Sequence, residues 1–178
     1  LCNIKMIKMK KVSILFVVVV FLITSCEYGK KYEREERQVI ENYLSSIGDT
    51  VYTIKPSGLY FLSIVEGTGR TPVNGDTVSI YYTAKLLSGT LFDTNRGLDY
   101  PFTFVVGSGS VISGVDEGVR YMKDGGRAKL ITPSSLAYGS SGLYGYNSYG
   151  MPYTIISGYT PILWDIEIDT VIVGPAGK

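Results

Sequence analysis

The side chains of this sequence that could take part in catalysis are carboxylates and tyrosines, because its 178 residues include no histidine and only two cysteines. Without histidine the chain cannot form a Ser-His-Asp or Cys-His triad, or a histidine-ligated zinc or haem site. Cys2 and Cys26 both precede the region with a globular pattern, so neither a disulfide framework nor a thiolate metal site is expected. The chemistry must therefore use carboxylates, hydroxyls, backbone groups or apolar surfaces.

The acidic residues near the C terminus do not form an obvious acid–base pair. Asp165, Glu167 and Asp169 alternate with apolar residues along a predicted strand. A period of two places these carboxylates in a row without bringing them together, so we expect a solvated face. Asp93 follows Phe92 after a predicted hairpin and would ordinarily be a carboxylate at the end of a strand.

Aromatic residues are abundant. The sequence contains 15 Tyr, 6 Phe and 1 Trp, and 19% of its residues are charged. This composition is typical of a globular chain rather than a disordered one. An aromatic residue that alternates along a strand usually belongs to the core, so a binding surface requires several rings to converge.

The N-terminal segment has the pattern of a secretory signal. Four lysines precede the apolar run 12–23, which is shorter than the roughly 20 residues that a membrane-spanning helix needs. Leu22-Ile23-Thr24-Ser25-Cys26 then resembles a bacterial lipobox, in which the cysteine is lipidated and becomes the new N terminus. We expect residues 1–25 to be a lipoprotein signal peptide and Cys26 to carry the lipid. The alternative is an ordinary secretory signal in which Cys26 is incidental.

The charge of the remaining chain argues against a nucleic-acid partner. Four of the 17 Lys and Arg residues lie before Cys26, which leaves 13 against 16 Asp and Glu. A mildly acidic chain without a basic patch cannot neutralise a phosphate backbone. A lipid rather than lysine side chains would hold this protein to a membrane.

Hydrophobic periodicity predicts an α+β fold. The apolar residues of an amphipathic helix over 33–46 recur at helical spacing; they are Val39, Ile40, Tyr43, Leu44 and Ile47. A shorter helix is predicted between Val111 and Lys123, and other apolar segments alternate as in antiparallel strands. We expect a curved antiparallel β-sheet wrapped around one short helix in a domain over 58–174, preceded by a tether and helix over 26–57.

Eight short motifs, taken in order, resemble the FKBP family of peptidyl-prolyl cis/trans isomerases. They are Tyr81-Tyr82-Thr83, Gly89-Thr90-Leu91-Phe92-Asp93, Pro101-Phe102-Thr103-Phe104, Val111-Ile112-Ser113-Gly114, Glu117-Gly118, Gly126-Arg127-Ala128-Lys129-Leu130, Leu136-Ala137-Tyr138-Gly139 and Trp164-Asp165-Ile166-Glu167-Ile168. The resemblance covers about residues 58–173. With the lipobox in front, the chain resembles the lipoprotein FKBPs of Gram-negative bacteria, which implies a lipid-anchored protein of the cell envelope, in the outer membrane.

The resemblance implies a site for proline-containing polypeptides that needs no metal and no cofactor. The residues at pocket-lining positions are Tyr82, Phe92, Phe102, Phe104, Val111, Ile112, Val115, Ile155, Ile156 and Trp164. By the same resemblance the N–H of Ile112 and the hydroxyl of Tyr138 hold ligand carbonyls, and the Asp93 carboxylate lies close to the carbonyl of the bond that turns. Asp93, Tyr138 and Ile112 are therefore the candidate catalytic residues.

The sequence departs from the family pattern at the floor of the pocket and in segment 140–152. Val115 stands where a tryptophan is usual, which argues against tight binding of the macrolides that the family implies as ligands. Trp164 stands where phenylalanine is usual, and we expect its larger ring to fill part of the space beside Val115. Segment 140–152 is longer than usual and consists almost entirely of Tyr, Gly and Ser. It is either a mobile surface loop or a lip that grips the chain on either side of the proline.

The predicted function is faster rotation of X-Pro bonds in exported or envelope proteins. Such rotation is opposed by the partial double bond of the amide and needs no nucleophile, so an aromatic pocket that desolvates the amide would suffice. One alternative is a chaperone or peptide-binding module of the same fold with little turnover. Another, independent of the resemblance, is a surface lipoprotein that binds glycans through segment 140–152.

Overall fold

The structure, a computed structural model, describes residues 29–48 and 52–175. The predicted signal peptide, residues 1–25, and the predicted lipidation site Cys26 lie outside the described residues. The chain divides into two compact units, Leu1–Gln38 and Val39–Lys178. All strands of the described residues belong to the second unit.

Helix α1 spans residues 29–46 and begins four residues before the predicted start. Its first turns are charged, with an i,i+4 pair between Lys31 and Glu35 at 3.7 Å, so apolar periodicity could not reveal them. Ile40 is buried as predicted, but Val39 is 47% exposed and the apolar stripe is narrower than expected. Within the described residues, no helix has the length and hydropathy needed to cross a bilayer.

Seven strands form one antiparallel sheet, which confirms the predicted α+β architecture. They are β1 (Thr53–Ile54), β2 (Tyr60–Val65), β3 (Thr77–Leu86), β4 (Leu91–Thr94), β5 (Phe102–Val105), β6 (Arg127–Thr132) and β9 (Ile162–Ile172). The order is β1-β2-β6-β9-β3-β4, and β5 also pairs with β3. The sheet therefore takes in residues upstream of position 58, where the domain was expected to start.

Helix α2 (Ser113–Val119) packs on one face of this sheet and is shorter than the predicted segment 111–123. Gly114 and Gly118 let it approach β6, because a Cβ at Gly114 would collide with Thr132 and one at Gly118 with Leu130. Two glycines four residues apart on the helix thus face two residues that are two positions apart on the strand. The alternation along β9 predicted one buried face. The buried residues of this strand are Ile162, Trp164, Ile166 and Ile168.

The opposite face of the sheet carries an ion-pair network rather than the isolated solvated carboxylates expected from the sequence. Arg127 donates two hydrogen bonds of 2.8 Å to the carboxylate of Asp165. Arg96 lies 2.9 Å from Glu167 and 3.3 Å from Asp165. Burial alone would raise the pKa of Asp165, but the hydrogen bond and charge of Arg127, helped by Arg96 and Lys129, outweigh it and hold this pKa below its ordinary value.

The Tyr-rich segment 140–152 contributes to a β-hairpin. A 3-10 turn at Ser134–Leu136 leads into β7 (Leu143–Tyr146) and β8 (Pro152–Ile156), which pair antiparallel. The tip is closed by the Asn147 side chain, which accepts hydrogen bonds of 3.0 and 2.9 Å from the N–H groups of Tyr149 and Met151. Segment 140–152 is therefore largely hydrogen-bonded rather than irregular, and both the mobile loop and the lip stay predictions.

Candidate active site

Five aromatic side chains pack into one group, which we call the ring cluster. They are Tyr82 of β3, Phe92 of β4, Phe102 and Phe104 of β5, and Trp164 of β9. The ring centroid of Trp164 lies 5.8 Å from that of Tyr82 and 6.3 Å from that of Phe92. The centroid of Phe102 lies 6.1 Å from that of Tyr82 and 6.0 Å from that of Phe104. These spacings are those of aromatic pairs in contact, so the predicted rings form a continuous surface.

The ring cluster extends from the core to the protein surface. Trp164 and Phe104 are buried, with 7% and 4% of their surface exposed, whereas Phe102 is 41% exposed. Tyr82 and Phe92 are partly buried and pack against the core. An apolar surface that is buried at one end and open at the other can accept an apolar group from solvent.

A carboxylate borders the ring cluster. The hydroxyl of Tyr82 donates a hydrogen bond of 2.8 Å to Oδ2 of Asp93, which is itself exposed. Burial raises the pKa of Tyr82, and the hydrogen bond and charge of Asp93 raise it further. Burial and the charge of Asp93 likewise raise the pKa of Tyr138. Both tyrosines therefore keep their protons at neutral pH and can donate hydrogen bonds.

The turn before α2 presents an unused backbone donor. Val111 and Ile112 are partly buried and pack against the core. The carbonyl of Ile112 accepts bonds of 3.1 Å from the N–H groups of Val115 and Asp116, which fixes this residue at the start of the helix. Its own N–H makes no hydrogen bond within the described residues. Val115 is buried in the core cluster that also contains Trp164.

Tyr138 supplies a second unused donor. It follows the 3-10 turn, and its carbonyl accepts a bond of 3.1 Å from Gly142, which fixes the backbone. Its hydroxyl has no hydrogen-bond partner in the part of the chain that the structure describes. Ile156 is buried and Ile155 partly buried, and both belong to the same core cluster as the ring of Tyr138 or pack against it. Apart from Phe102, which contacts Tyr82 and Phe104, the predicted lining residues and Tyr138 all belong to one core cluster or pack against it.

Two residues of this region were not predicted from the sequence. The buried side chain of Asn95 accepts a bond of 2.7 Å from the N–H of Tyr82 and donates one of 2.9 Å to the carbonyl of Ile80. Thr132 is fully buried and accepts a bond of 3.1 Å from the indole N–H of Trp164. Asparagine after a strand usually signals a turn, and no pattern in the sequence distinguishes Thr132.

Within the described residues, no group of three or more Cys, Asp and Glu side chains is placed to hold a metal ion. What the arrangement offers is an apolar aromatic surface, a nearby carboxylate and two free hydrogen-bond donors. Such a set can bind and orient an uncharged group, but it contains no activated nucleophile.

The comparisons with known proteins agree on one family. The family model described as FKBP-type peptidyl-prolyl cis-trans isomerase matches residues 68–169. The peptidyl-prolyl cis-trans isomerase Fkbp12 of Drosophila melanogaster is 46% identical over 86 residues, which cover 48% of this chain and 80% of that protein. The macrophage infectivity potentiator of Trypanosoma cruzi is 32% identical over 182 residues, which cover 94% of this chain and 86% of that protein.

A solved structure supports the same relationship. The crystal structure of FkpA from Escherichia coli matches with a TM-score of 0.63 and 27% sequence identity. The match covers 82% of this chain and 65% of that one.

Proposed function

Because this chain belongs to the family of FKBP-type peptidyl-prolyl cis-trans isomerases, we propose that its ring cluster is where the enzyme binds proline and accelerates rotation of the preceding bond. The proline ring would lie on the apolar surface formed by Tyr82, Phe92 and Trp164. The peptide on either side would remain exposed, because Phe102 marks the solvent end of the cluster.

The physical basis of the proposed catalysis is desolvation. Rotation of an X-Pro amide meets a barrier of about 18–20 kcal/mol, which arises from the double-bond character of the C–N bond. The planar amide separates more charge than the twisted one, so water stabilises the planar form. An aromatic surface that replaces this water favours twisting, and each 1.4 kcal/mol of differential stabilisation gives about a tenfold faster rate.

The observation that carries the proposal is a pair of unused donors on residues that pack against the core from which the ring cluster extends. The Ile112 N–H and the Tyr138 hydroxyl make no hydrogen bond within the described residues, although both residues are partly buried against the core. Two carbonyls of a bound peptide would satisfy them and fix the peptide relative to the rings. The carboxylate of Asp93 would then lie next to the carbonyl whose bond turns.

The hairpin of β7 and β8 is proposed as the lip that contacts the peptide beyond the proline. It is continuous with the site through Ile155 and Ile156. Tyr144 and Tyr146 lie two residues apart on one strand and are 55% and 74% exposed. No charged residue occurs between Lys129 and Asp165, so contact here would depend on ring surfaces rather than on the charge of the substrate.

We further propose that the enzyme acts on exported proteins of the cell envelope and is anchored by a lipid on Cys26. The support is the signal-like pattern over 1–25 and the lipobox-like residues that precede Cys26. Incorporation of a radiolabelled fatty acid by the expressing bacterium tests this assignment. We expect the wild-type protein to be labelled and the Cys26→Ala variant to remain unlabelled. Labelling of both proteins would mean that the lipid is attached to another residue.

A second function, peptide binding with little turnover, is favoured by one observation. Val115 is buried in the core cluster that also contains Trp164 and offers a much smaller side chain than a ring, so the apolar surface can differ from that of an efficient catalyst. Such a protein would still bind proline-containing or unfolded segments and act as a chaperone.

An X-Pro peptide assay distinguishes the two functions. Exchange between cis and trans peptide, measured by NMR, should accelerate with wild-type protein and fall about tenfold with Tyr138→Phe, because one orienting hydrogen bond is lost. Tyr121→Phe is the matched control, since this tyrosine is 43% exposed and its hydroxyl bonds only Glu117 in the described part of the chain. Binding without exchange would favour the chaperone, and full activity of Tyr138→Phe would mean that the site is elsewhere.

A further inference from the structure

The indole of Trp164 has a specific hydrogen-bond acceptor. The side chain is 7% exposed and is the only tryptophan of the chain. Its Nε1–H donates a bond of 3.1 Å to Oγ1 of Thr132. A buried indole N–H without a partner is unfavourable, so this bond restricts the orientations that the ring can adopt.

The hydroxyl of Thr132 is oriented by a second bond. It donates to the carbonyl of Ile162 at 3.3 Å, and a hydroxyl has only one proton to donate. A lone pair is therefore directed at the indole, which can only donate. Because Thr132 is fully buried, water does not compete for either bond.

Thr132 also contacts the other side of the site. A Cβ on Gly114 would collide with Cγ2 of Thr132, so the first turn of α2 rests directly on this methyl group. Gly114 is two residues after Ile112, whose N–H is one of the two unused donors. One side chain thus contacts both the indole of the aromatic wall and the helix turn that follows the Ile112 donor.

We propose that Thr132 is a positioning residue for the proline site. Its hydroxyl fixes the indole plane of Trp164 against Tyr82 and Phe92, and its methyl group supports the turn that presents the Ile112 N–H. The wall and the donor then keep a constant separation when a peptide binds. This inference rests on the proposed function of the site.

Thr132→Val tests the proposal because it keeps the shape of the side chain and removes the hydroxyl. Trp164 should become more accessible to acrylamide quenching, because the indole loses its acceptor and turns towards water. KM for a short X-Pro peptide should rise about fivefold, which corresponds to one hydrogen bond, while kcat changes less. Thr132→Ser keeps the hydroxyl and should preserve the quenching of wild type.

Two controls separate positioning from general stability. Ile131→Val shortens the adjacent, fully buried side chain and should lower stability without changing quenching or KM. In a Trp164→Phe background the indole N–H is absent, so Thr132→Val should cause no further rise in KM. An equal rise in both backgrounds, or the same rise in Ile131→Val, overturns the proposal.

Failure of the Thr132 proposal can be distinguished from failure of the proposed function. Wild-type protein that neither binds nor turns over X-Pro peptides contradicts the proposed function. Unchanged quenching of Trp164 in Thr132→Val contradicts positioning by Thr132, whatever the turnover.

Discussion

The hydroxyl of Tyr82 on β3 donates a hydrogen bond of 2.8 Å to the carboxylate of Asp93 on β4. The aromatic surface and the carboxylate beside it are therefore linked. Asp93 can act on a substrate through its charge, through its hold on the Tyr82 ring, or through both.

Asp93→Asn and Tyr82→Phe separate these two contributions. Asparagine keeps an acceptor for the tyrosine hydroxyl but loses the charge, whereas Tyr82→Phe keeps the charge and loses the bond. If the charge assists rotation, kcat/KM measured by NMR exchange falls about tenfold in Asp93→Asn and less in Tyr82→Phe. The reverse order would mean that Asp93 only orients the ring.

Asn95→Ala should destabilise the fold by about 1–3 kcal/mol, measured by urea denaturation. The substitution leaves the N–H of Tyr82 and the carbonyl of Ile80 without their partner in a buried position. Asn147→Ala is the matched control, because Asn147 also bonds two backbone groups but lies at the exposed hairpin tip. Equal losses in the two variants would contradict a special role for Asn95 in holding β3.

Acid should weaken the fold partly through Asp165. Its pKa is lowered in the folded state from the ordinary value of 3.8, so its contribution is fully present above that pH and is lost as pH falls through the lower folded value. Asp165→Asn should therefore cost about 1 kcal/mol at pH 7 and progressively less below pH 4. Glu167→Gln should cost less, because Glu167 is 45% exposed and, among the residues that the structure describes, forms an ion pair with Arg96 alone. A pH-independent cost of Asp165→Asn would contradict this linkage.

The combined change of Tyr144 and Tyr146 to Ser should affect long substrates only. If these rings contact the chain beyond the proline, refolding of a proline-limited protein should be catalysed several-fold less well. Exchange in a short X-Pro peptide should not change. Tyr100→Ser controls for loss of an exposed ring, because Tyr100 is 67% exposed and lies outside the hairpin. An equal loss on both substrates would argue against a lip.

The class of fold and the residue types at the site could be predicted from the amino-acid sequence. Alternation along β9 and helical spacing in α2 follow from local geometry, so both could be predicted within a few residues. The absence of histidine excluded whole classes of mechanism, and the ordered motifs of the resemblance named the residues of the ring cluster. Boundaries were less certain where charged residues extend a helix, as at the start of α1.

How those residues contact each other could not be predicted, because it depends on the packing of the whole domain. The bond from Trp164 to Thr132 joins residues 32 positions apart, and Asn95 bridges a gap that exists only because β3 exchanges β5 for β4 as its partner. The pairing of Asp165 with Arg96 and Arg127 likewise turned an expected solvated face into a network. Such contacts depend on strand register and on close approach at Gly114, which are set by packing of the whole sheet rather than by any local pattern.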